Sequence, residues 1–285
     1  MKAPTFKYLR AESRDEAYAA FTEYGDEGLV LAGGQSLMPM LNMRLAQPAV
    51  LVDINPISEL SGILLRDQQL HIGATTRHVE VENSMLVAAE LPLIGCAIKH
   101  VAHRGIRNRG TFGGSLAHAD PAAEMPACAV ALDATLILQS RAGERRVKAA
   151  DFFLGVMSTD RRSDELITGI ELPAQMSTDA WSFHELSRRH GDFALVGVAA
   201  TAQRRSIGLD GLRLVVFGCE ERPKVSKIAA SMSLSRKDVA ELATAVADDL
   251  DPMSDLEGDA KTKRIQARTL VERSLEDLLG GWPND

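Results

Sequence analysis

Leu29-Val30-Leu31-Ala32-Gly33-Gly34-Gln35-Ser36-Leu37 reads as a short apolar strand, a glycine turn and the start of a helix. The apolar run at 29–32 is too short to be a helix of its own and fits a buried strand. The two glycines that follow lack Cβ atoms, so the backbone there permits close approach of a ligand and leaves N–H groups free to point at an anion. Ser36 adds a hydroxyl donor where the next helix opens, and helical spacing resumes at Leu37, Met40, Leu41 and Leu45. Upstream, Ser13 and Glu16 form a capping box, and Ala17, Ala20, Phe21 and Tyr24 repeat at helical spacing until Gly25. Downstream, Val50-Leu51-Val52-Asp53-Ile54 is a second apolar strand.

The arrangement recurs 80 residues later, where Gly113-Gly114 stands between Thr111 and Ser115. Asp120-Pro121 then reads as an N-cap and a proline in the first helical position, opening a helix from Ala122 to about Leu132. One glycine pair after a strand is ordinary punctuation. Two such turns can hold the two phosphates of one pyrophosphate. No GxxxxGK[ST] is present and no GxGxxG follows the first strand, so the P-loop and Rossmann arrangements lose their main support. A dinucleotide bound in some other way remains.

The rest of the chain sets these turns in an α+β fold of three segments. Residues 63–73 predict a hairpin around Asp67-Gln68-Gln69, and residues 75–101 read as mostly helical. Residues 136–138 and 146–148 pair around Ala142-Gly143-Glu144, and residues 165–172 form a strand that Pro173 ends. The polar stretch 173–180 marks a boundary. Beyond it lie three strand-like segments, 181–186, 194–202 and 212–218, which predict a three-stranded antiparallel sheet. After Pro223 the pattern turns helical, with Val239, Leu242, Ala243 and Val246 on one face and Ala267, Val271, Leu275 and Leu278 on another, ahead of Gly280-Gly281. The expected division is 1–60, 61–175 and 178–285.

Composition narrows the function classes. Lys plus Arg number 32 against 39 Asp plus Glu, a formal charge of -7, and no basic stripe offers the phosphate-neutralising surface that nucleic-acid binding needs. Cys96, Cys128 and Cys219 are odd in number and far apart, so they predict free thiols in a reducing compartment. An iron-sulfur cluster needs about four thiolates, which this chain does not group. The N-terminus has no apolar signal region and no run approaches the ~20 apolar residues of a membrane span, so a cytoplasmic protein without membrane insertion is expected.

Ala32-Gly33-Gly34-Gln35-Ser36, and Arg107-Asn108-Arg109-Gly110-Thr111-Phe112-Gly113-Gly114-Ser115-Leu116-Ala117-His118-Ala119-Asp120-Pro121-Ala122-Ala123-Glu124, resemble the two FAD signatures of the FAD-binding medium subunits of molybdenum hydroxylases. These are the medium subunit of carbon monoxide dehydrogenase and the FAD-binding subunits of xanthine dehydrogenase relatives. Ser187-Arg188-Arg189-His190-Gly191-Asp192-Phe193-Ala194 extends the likeness into the third segment, so it spans nearly the whole chain. It implies a two-part FAD-binding domain of the type shared with vanillyl-alcohol-oxidase-like flavoproteins, plus a C-terminal domain of antiparallel sheet and helices. It further implies that Leu29, Val30, Leu31, Ala32, Gly33, Gly34, Gln35 and Ser36, with Thr111, Gly113, Gly114 and Ser115, enclose the FAD diphosphate, the isoalloxazine lying near the third segment.

By the same resemblance, Glu124 falls where relatives place an acid for the ribitol or ribose hydroxyls; an acidic residue in the first turn of a helix is the equal alternative. Ile167 would pack on the flavin or adenine, or serve as ordinary strand core. His184 stands where some relatives have a lysine near the flavin, or is simply a half-exposed strand histidine. Arg107 and Arg109 would neutralise pyrophosphate charge or belong to a solvated loop. His118 and Asp120 receive no proton chemistry, and no catalytic or metal-binding residue is assigned. The implied partners are a large molybdopterin subunit, a small subunit with two [2Fe-2S] clusters, and an external electron acceptor. Two rivals stay open: a stand-alone FAD oxidoreductase of the same fold, and a non-redox nucleotide-binding module.

Overall fold

The computed structural model describes residues 2–175, 179–206, 208–228 and 234–280. Three larger sheets follow one another along the chain, and a two-stranded ribbon, Phe153–Gly155 with Ser158–Thr159, accompanies them. In the first, Val50–Asp53 lies between Lys7–Arg10 and Gly28–Leu31, all parallel. Helix Arg14–Tyr24 covers it, burying Ala17, Tyr18, Ala20 and Phe21. Ser13 Oγ accepts from the Glu16 N–H at 3.3 Å, yet the Glu16 carboxylate turns back to the N–H of Glu12 at 2.8 Å, one residue before the capping-box position. Gly28–Leu31 is an edge strand, so its residues are half-buried rather than fully enclosed. The helix after the first glycine turn, Leu37–Asn42, stops early because Arg44 takes φ 59°, and Leu45 lies beyond it, 70% exposed.

The second sheet is antiparallel, in the order Ile63–Arg66, Gln69–Gly73, Leu166–Pro173, Thr135–Ser140, Gly143–Lys148. Its first hairpin closes through Asp67 and Gln68, both at positive φ, the geometry that matches the twist of a two-residue turn. Residues 75–101 do not form one helix. They break into His78–Glu82, Met85–Glu90 and Pro92–Ala97, because Ser84 caps the second helix and Pro92 must open the third. Helix Glu124–Ala131 begins later than its sequence suggests. Asp120 Oδ1 accepts from the Ala122 N–H at 2.9 Å, which makes Asp120-Pro121 a turn of its own and leaves Ala123 at the N-cap.

The third sheet has four antiparallel strands, not three: Asp179–Leu186, Val196–Arg204, Leu209–Phe217 and Lys224–Ile228. The fourth strand occupies the stretch after Pro223 that reads as helical, since helical periodicity begins only at Arg236. Lys224 at the start of this edge strand is a charge that discourages further pairing. Alternation divides the sheet cleanly. Phe183, Ala199, Val215 and Phe217 join the core shared with the second sheet, while Val198, Ala200, Leu214 and Val216 pack on helices Arg236–Asp248 and Ala260–Leu279. Those helices bury Val239, Ala243 and Val246, and Ala267, Val271, Leu275 and Leu278, as their spacing requires. Gly280 ends the last helix at φ 85°. Its expected companion Gly281, the rest of 281–285, and 176–178 within the expected boundary lie outside the described residues. No helix among the described residues is long and apolar enough to cross a membrane.

Candidate cofactor site

The two glycine segments, distant in sequence, are in contact. A Cβ on Gly33 would stand 2.4 Å from the carbonyl oxygen of Arg109 and 2.8 Å from Gly110 Cα, so only glycine fits where the segments cross. Gly34 takes φ +71°, which side chains other than glycine rarely adopt. In the first turn, Gln35 Nε2 donates to the Gly33 carbonyl at 3.1 Å, and the Gly34 and Ser36 carbonyls accept from Met38 and Met40. The N–H groups of Gly33, Gly34, Gln35 and Ser36 find no acceptor among the described residues. Leu29, Val30 and Leu31 are strand residues paired with Leu51, Val52 and Asp53, and Ala32 carries the strand into the turn.

The second segment is built differently. Gly113, Gly114 and Ser115 lie inside the first turn of helix Phe112–His118, with Thr111 as its N-cap. Thr111 Oγ1 accepts from the Gly114 N–H at 3.1 Å, and the Phe112 and Gly113 N–H groups donate to Thr76 and Ala74 carbonyls, each at 2.9 Å. Gly113 is glycine because Ala74 packs on it: a Cβ would lie 2.6 Å from that methyl. Thus this segment is a capped helix end whose first amides are taken. It still faces the first turn, since a Gly114 Cβ would stand 3.9 Å from Ala32 Cβ, and Ser115 is half-buried with its hydroxyl unpaired among the described residues.

The remaining sequence candidates separate. Arg107 is held by the Glu82 carboxylate at 2.9 and 3.2 Å and by the Val101 and Ala102 carbonyls, so its charge is committed to the fold. Arg109 is exposed. Glu124 is buried in the first turn of its helix, and burial, joined by the charges of Glu185 and Asp120, pushes its carboxyl up to about 8. Ile167 is buried in the second-sheet core, paired with Leu138. His184 is half-buried, and its Nε2 lies 2.8 Å from Asp277 Oδ2 on the last helix. Alternation therefore turns His184 toward that helix and its neighbour Glu185 toward the face shared with Phe183.

Five residues escaped the sequence. Glu185 has a side chain only 1% exposed, no hydrogen-bond partner for either carboxylate oxygen among the described residues, and is pushed up to about 7 by burial. His100 Nδ1 lies 3.9 Å from it, and the His100 ring packs on Phe183 and His190. His78, whose N–H donates to the Gly110 carbonyl at 2.9 Å, is buried with both ring nitrogens unpartnered among the described residues, and burial holds it down to about 4. Asn55 and Arg77 reach between the two glycine segments. A Glu at an alternation position of an apolar strand face was a usable signal for Glu185; nothing in spacing marks the others.

Residues 4–175 match the FAD binding domain in molybdopterin dehydrogenase, and residues 181–278 match the CO dehydrogenase flavoprotein C-terminal domain. That combination defines a flavin-binding component of the molybdopterin dehydrogenases. The chain is 38% identical to the 6-hydroxypseudooxynicotine dehydrogenase complex subunit alpha of Paenarthrobacter nicotinovorans, covering 98% of this chain and 96% of that one. It is 40% identical to the caffeine dehydrogenase subunit beta of Pseudomonas sp. (strain CBB1) over 78% of this chain and 76% of that one. A carbon monoxide dehydrogenase structure from Hydrogenophaga pseudoflava superposes with a TM-score of 0.94 at 33% identity, covering 98% and 99% of the two chains. The chain belongs to the FAD-binding medium subunits of the molybdenum hydroxylase family.

Proposed function

We propose that this chain holds one FAD whose diphosphate lies between the first turn, Leu29, Val30, Leu31, Ala32, Gly33, Gly34, Gln35 and Ser36, and the helix start formed by Thr111, Gly113, Gly114 and Ser115. The observation that carries this is the contact of Gly33 with the Arg109 peptide beside four amides without acceptors. Bare amides at a glycine turn suit a pyrophosphate, and the missing Cβ atoms let the turn take positive φ at Gly34 and close on the second segment at Gly33. When bound, FAD supplies exchange of electrons singly or in pairs, received from the [2Fe-2S] clusters of a small partner and passed to an external acceptor. The substrate would be oxidised on a large molybdopterin partner, in keeping with relatives named as subunits of dehydrogenase complexes.

Around the flavin, Glu124 is a carboxyl that stays protonated to about pH 8, so it both donates to and accepts from ribityl or ribose hydroxyls. Ile167 supplies apolar surface from the sheet core. The His184–Asp277 pair takes the place of the lysine seen in some relatives, contributing a histidine tied to a carboxylate. No residue of this chain is assigned a catalytic proton transfer. The chain divides into 1–60, 61–175 and 178–285, the first two forming an FAD domain of the vanillyl-alcohol-oxidase-like type, and it works in the cytoplasm.

Purification of the full chain with its neighbours provides the test. A flavin spectrum together with co-purifying iron-sulfur and molybdenum chains is expected. Flavin with turnover by the chain alone would favour a stand-alone oxidoreductase, and a colourless chain that binds nucleotides without redox change would favour a binding module.

A further inference from the structure

The two glycine segments are joined by a polar chain that passes through neither turn. Asn55, two residues beyond strand Val50–Asp53, donates from Nδ2 to the Ala32 carbonyl at 2.9 Å. That carbonyl belongs to the peptide immediately before Gly33. Arg77 Nη2 donates to Asn55 Oδ1 at 2.6 Å, and Arg77 Nη1 donates to the Arg109 carbonyl. That second carbonyl is the oxygen against which Gly33 abuts. One guanidinium and one amide therefore tie the peptide before Gly33 to the peptide before Gly110.

Each member of this chain is held in orientation. Asp53 Oδ1 accepts from both the N–H and the Nδ2 of Asn55, at 2.9 and 2.5 Å, which fixes which end of the amide is donor and leaves Oδ1 facing Arg77. Tyr8 donates to the other Asp53 oxygen. The Arg77 backbone is clamped as well: it bridges Thr111, while its N–H donates to Glu80 Oε2 at 2.7 Å. With backbone and head group both fixed, the half-buried guanidinium acts as a strut of set length. A lysine offers rotatable donors on a flexible stem instead of a rigid planar fork, so it does not hold the two acceptors at a set spacing.

From this geometry we infer that Arg77 and Asn55 are positioning residues that set the gap between the two glycine segments, and through it the affinity for the diphosphate of FAD. The inference rests on the FAD assignment above. Neither residue needs to touch the phosphates: each donates to a peptide carbonyl, Asn55 to Ala32 and Arg77 to Arg109, and holding those carbonyls aligns the unpaired amides of Gly33, Gly34, Gln35 and Ser36 on one side against Thr111 and Ser115 on the other.

The test uses the full chain stripped of flavin and titrated with FAD by fluorescence, with ADP as competitor. The variants are Asn55→Ala, Arg77→Ala, Arg77→Lys and the Asn55→Ala/Arg77→Ala double. Loss of a hydrogen bond to a charged group predicts that each alanine variant weakens FAD by about tenfold to a hundredfold. ADP, which shares the diphosphate, should weaken by the same factor. Because the two residues act as one strut, the double variant should bind no worse than the weaker single, whereas multiplied effects would overturn the inference. Arg77→Lys keeps the stem and charge, and covers the case in which Arg77→Ala does not fold. In the flavin-free Arg77→Lys chain, amide hydrogen exchange should quicken in both 31–36 and 107–115; exchange altered in one segment alone, or in neither, would overturn it. A wild-type chain that takes up no FAD removes the FAD assignment and the inference with it. A wild-type chain that binds FAD while every variant binds equally well removes only the inference.

Discussion

Gly33-Gly34 and Gly113-Gly114 are the same dipeptide in the same kind of sequence context, yet they do opposite things. The first pair forms an irregular turn whose amides have no acceptor among the described residues. The second pair is wound into a helix, with its amides spent on Ala74 and on the cap of Thr111, and its missing Cβ atoms filled by a neighbouring chain segment. The comparison separates two uses of glycine. Gly33 and Gly113 both let backbone approach backbone, but only the first pair also leaves its amides free for a ligand. Pattern alone does not distinguish them, because both need the absence of a side chain.

Substitutions should break the comparison in different ways. Gly113→Val forces a Cβ and two methyl groups into space already held by Ala74, and a loss of more than about 4 kcal/mol is expected, measured as insolubility or a collapse of Tm. A pH effect comes next, because two buried titratable groups lie near the second segment. Glu124 is raised from 4.5 to about 8, so the folded chain holds a proton that the unfolded chain releases. Its contribution is full below pH 4.5 and is lost as pH rises toward 8, roughly 5 kcal/mol in all. Denaturant titrations of the flavin-free chain should show this decline, and Glu124→Gln should flatten it. His78 works with the opposite sign. Its value falls from 6.5 to about 4, so stability is full above pH 6.5 and drops by roughly 3 kcal/mol as pH falls through 4.

Gly34→Val sharpens the comparison from the other side. At φ +71° a β-branched residue costs about 1–3 kcal/mol, borne locally by a half-buried turn, so the chain should fold yet lose flavin. Absorbance at the flavin bands in a folded Gly34→Val chain would contradict the role given to that turn. The smallest effect is expected for Ser115→Ala. Removing one hydroxyl should weaken FAD by about three- to tenfold, with Tm unchanged, as read by equilibrium dialysis.

Much of this was legible because local chemistry agreed with the fold. The cap at Ser13, the hairpin at Asp67-Gln68 and the faces of the last two helices carry signals that act within a few residues. The signals failed where distant contacts decided. The expected glycine turn at 111–115 is a helix start because the Phe112 and Gly113 N–H groups find carbonyls at Thr76 and Ala74, distant in sequence. Strand Lys224–Ile228 exists because the edge of Leu209–Phe217 offered it hydrogen bonds, which a polar five-residue stretch does not announce. The site divides along the same line. The first turn could be read from its own residues, whereas Asn55, Arg77, His78 and Glu185 owe their places to contacts across the chain, and single polar residues carry no periodicity to betray them.

The two-faced third sheet carries a practical consequence. Phe183, Ala199, Val215 and Phe217 close the interior of the segment before residue 175, while the opposite face is sealed by the chain's own terminal helices. A gene fragment ending near that point would leave an oily wound where those four side chains had been. Such a fragment should precipitate rather than survive as a minimal flavin carrier, and proteolysis should find the molecule either whole or gone.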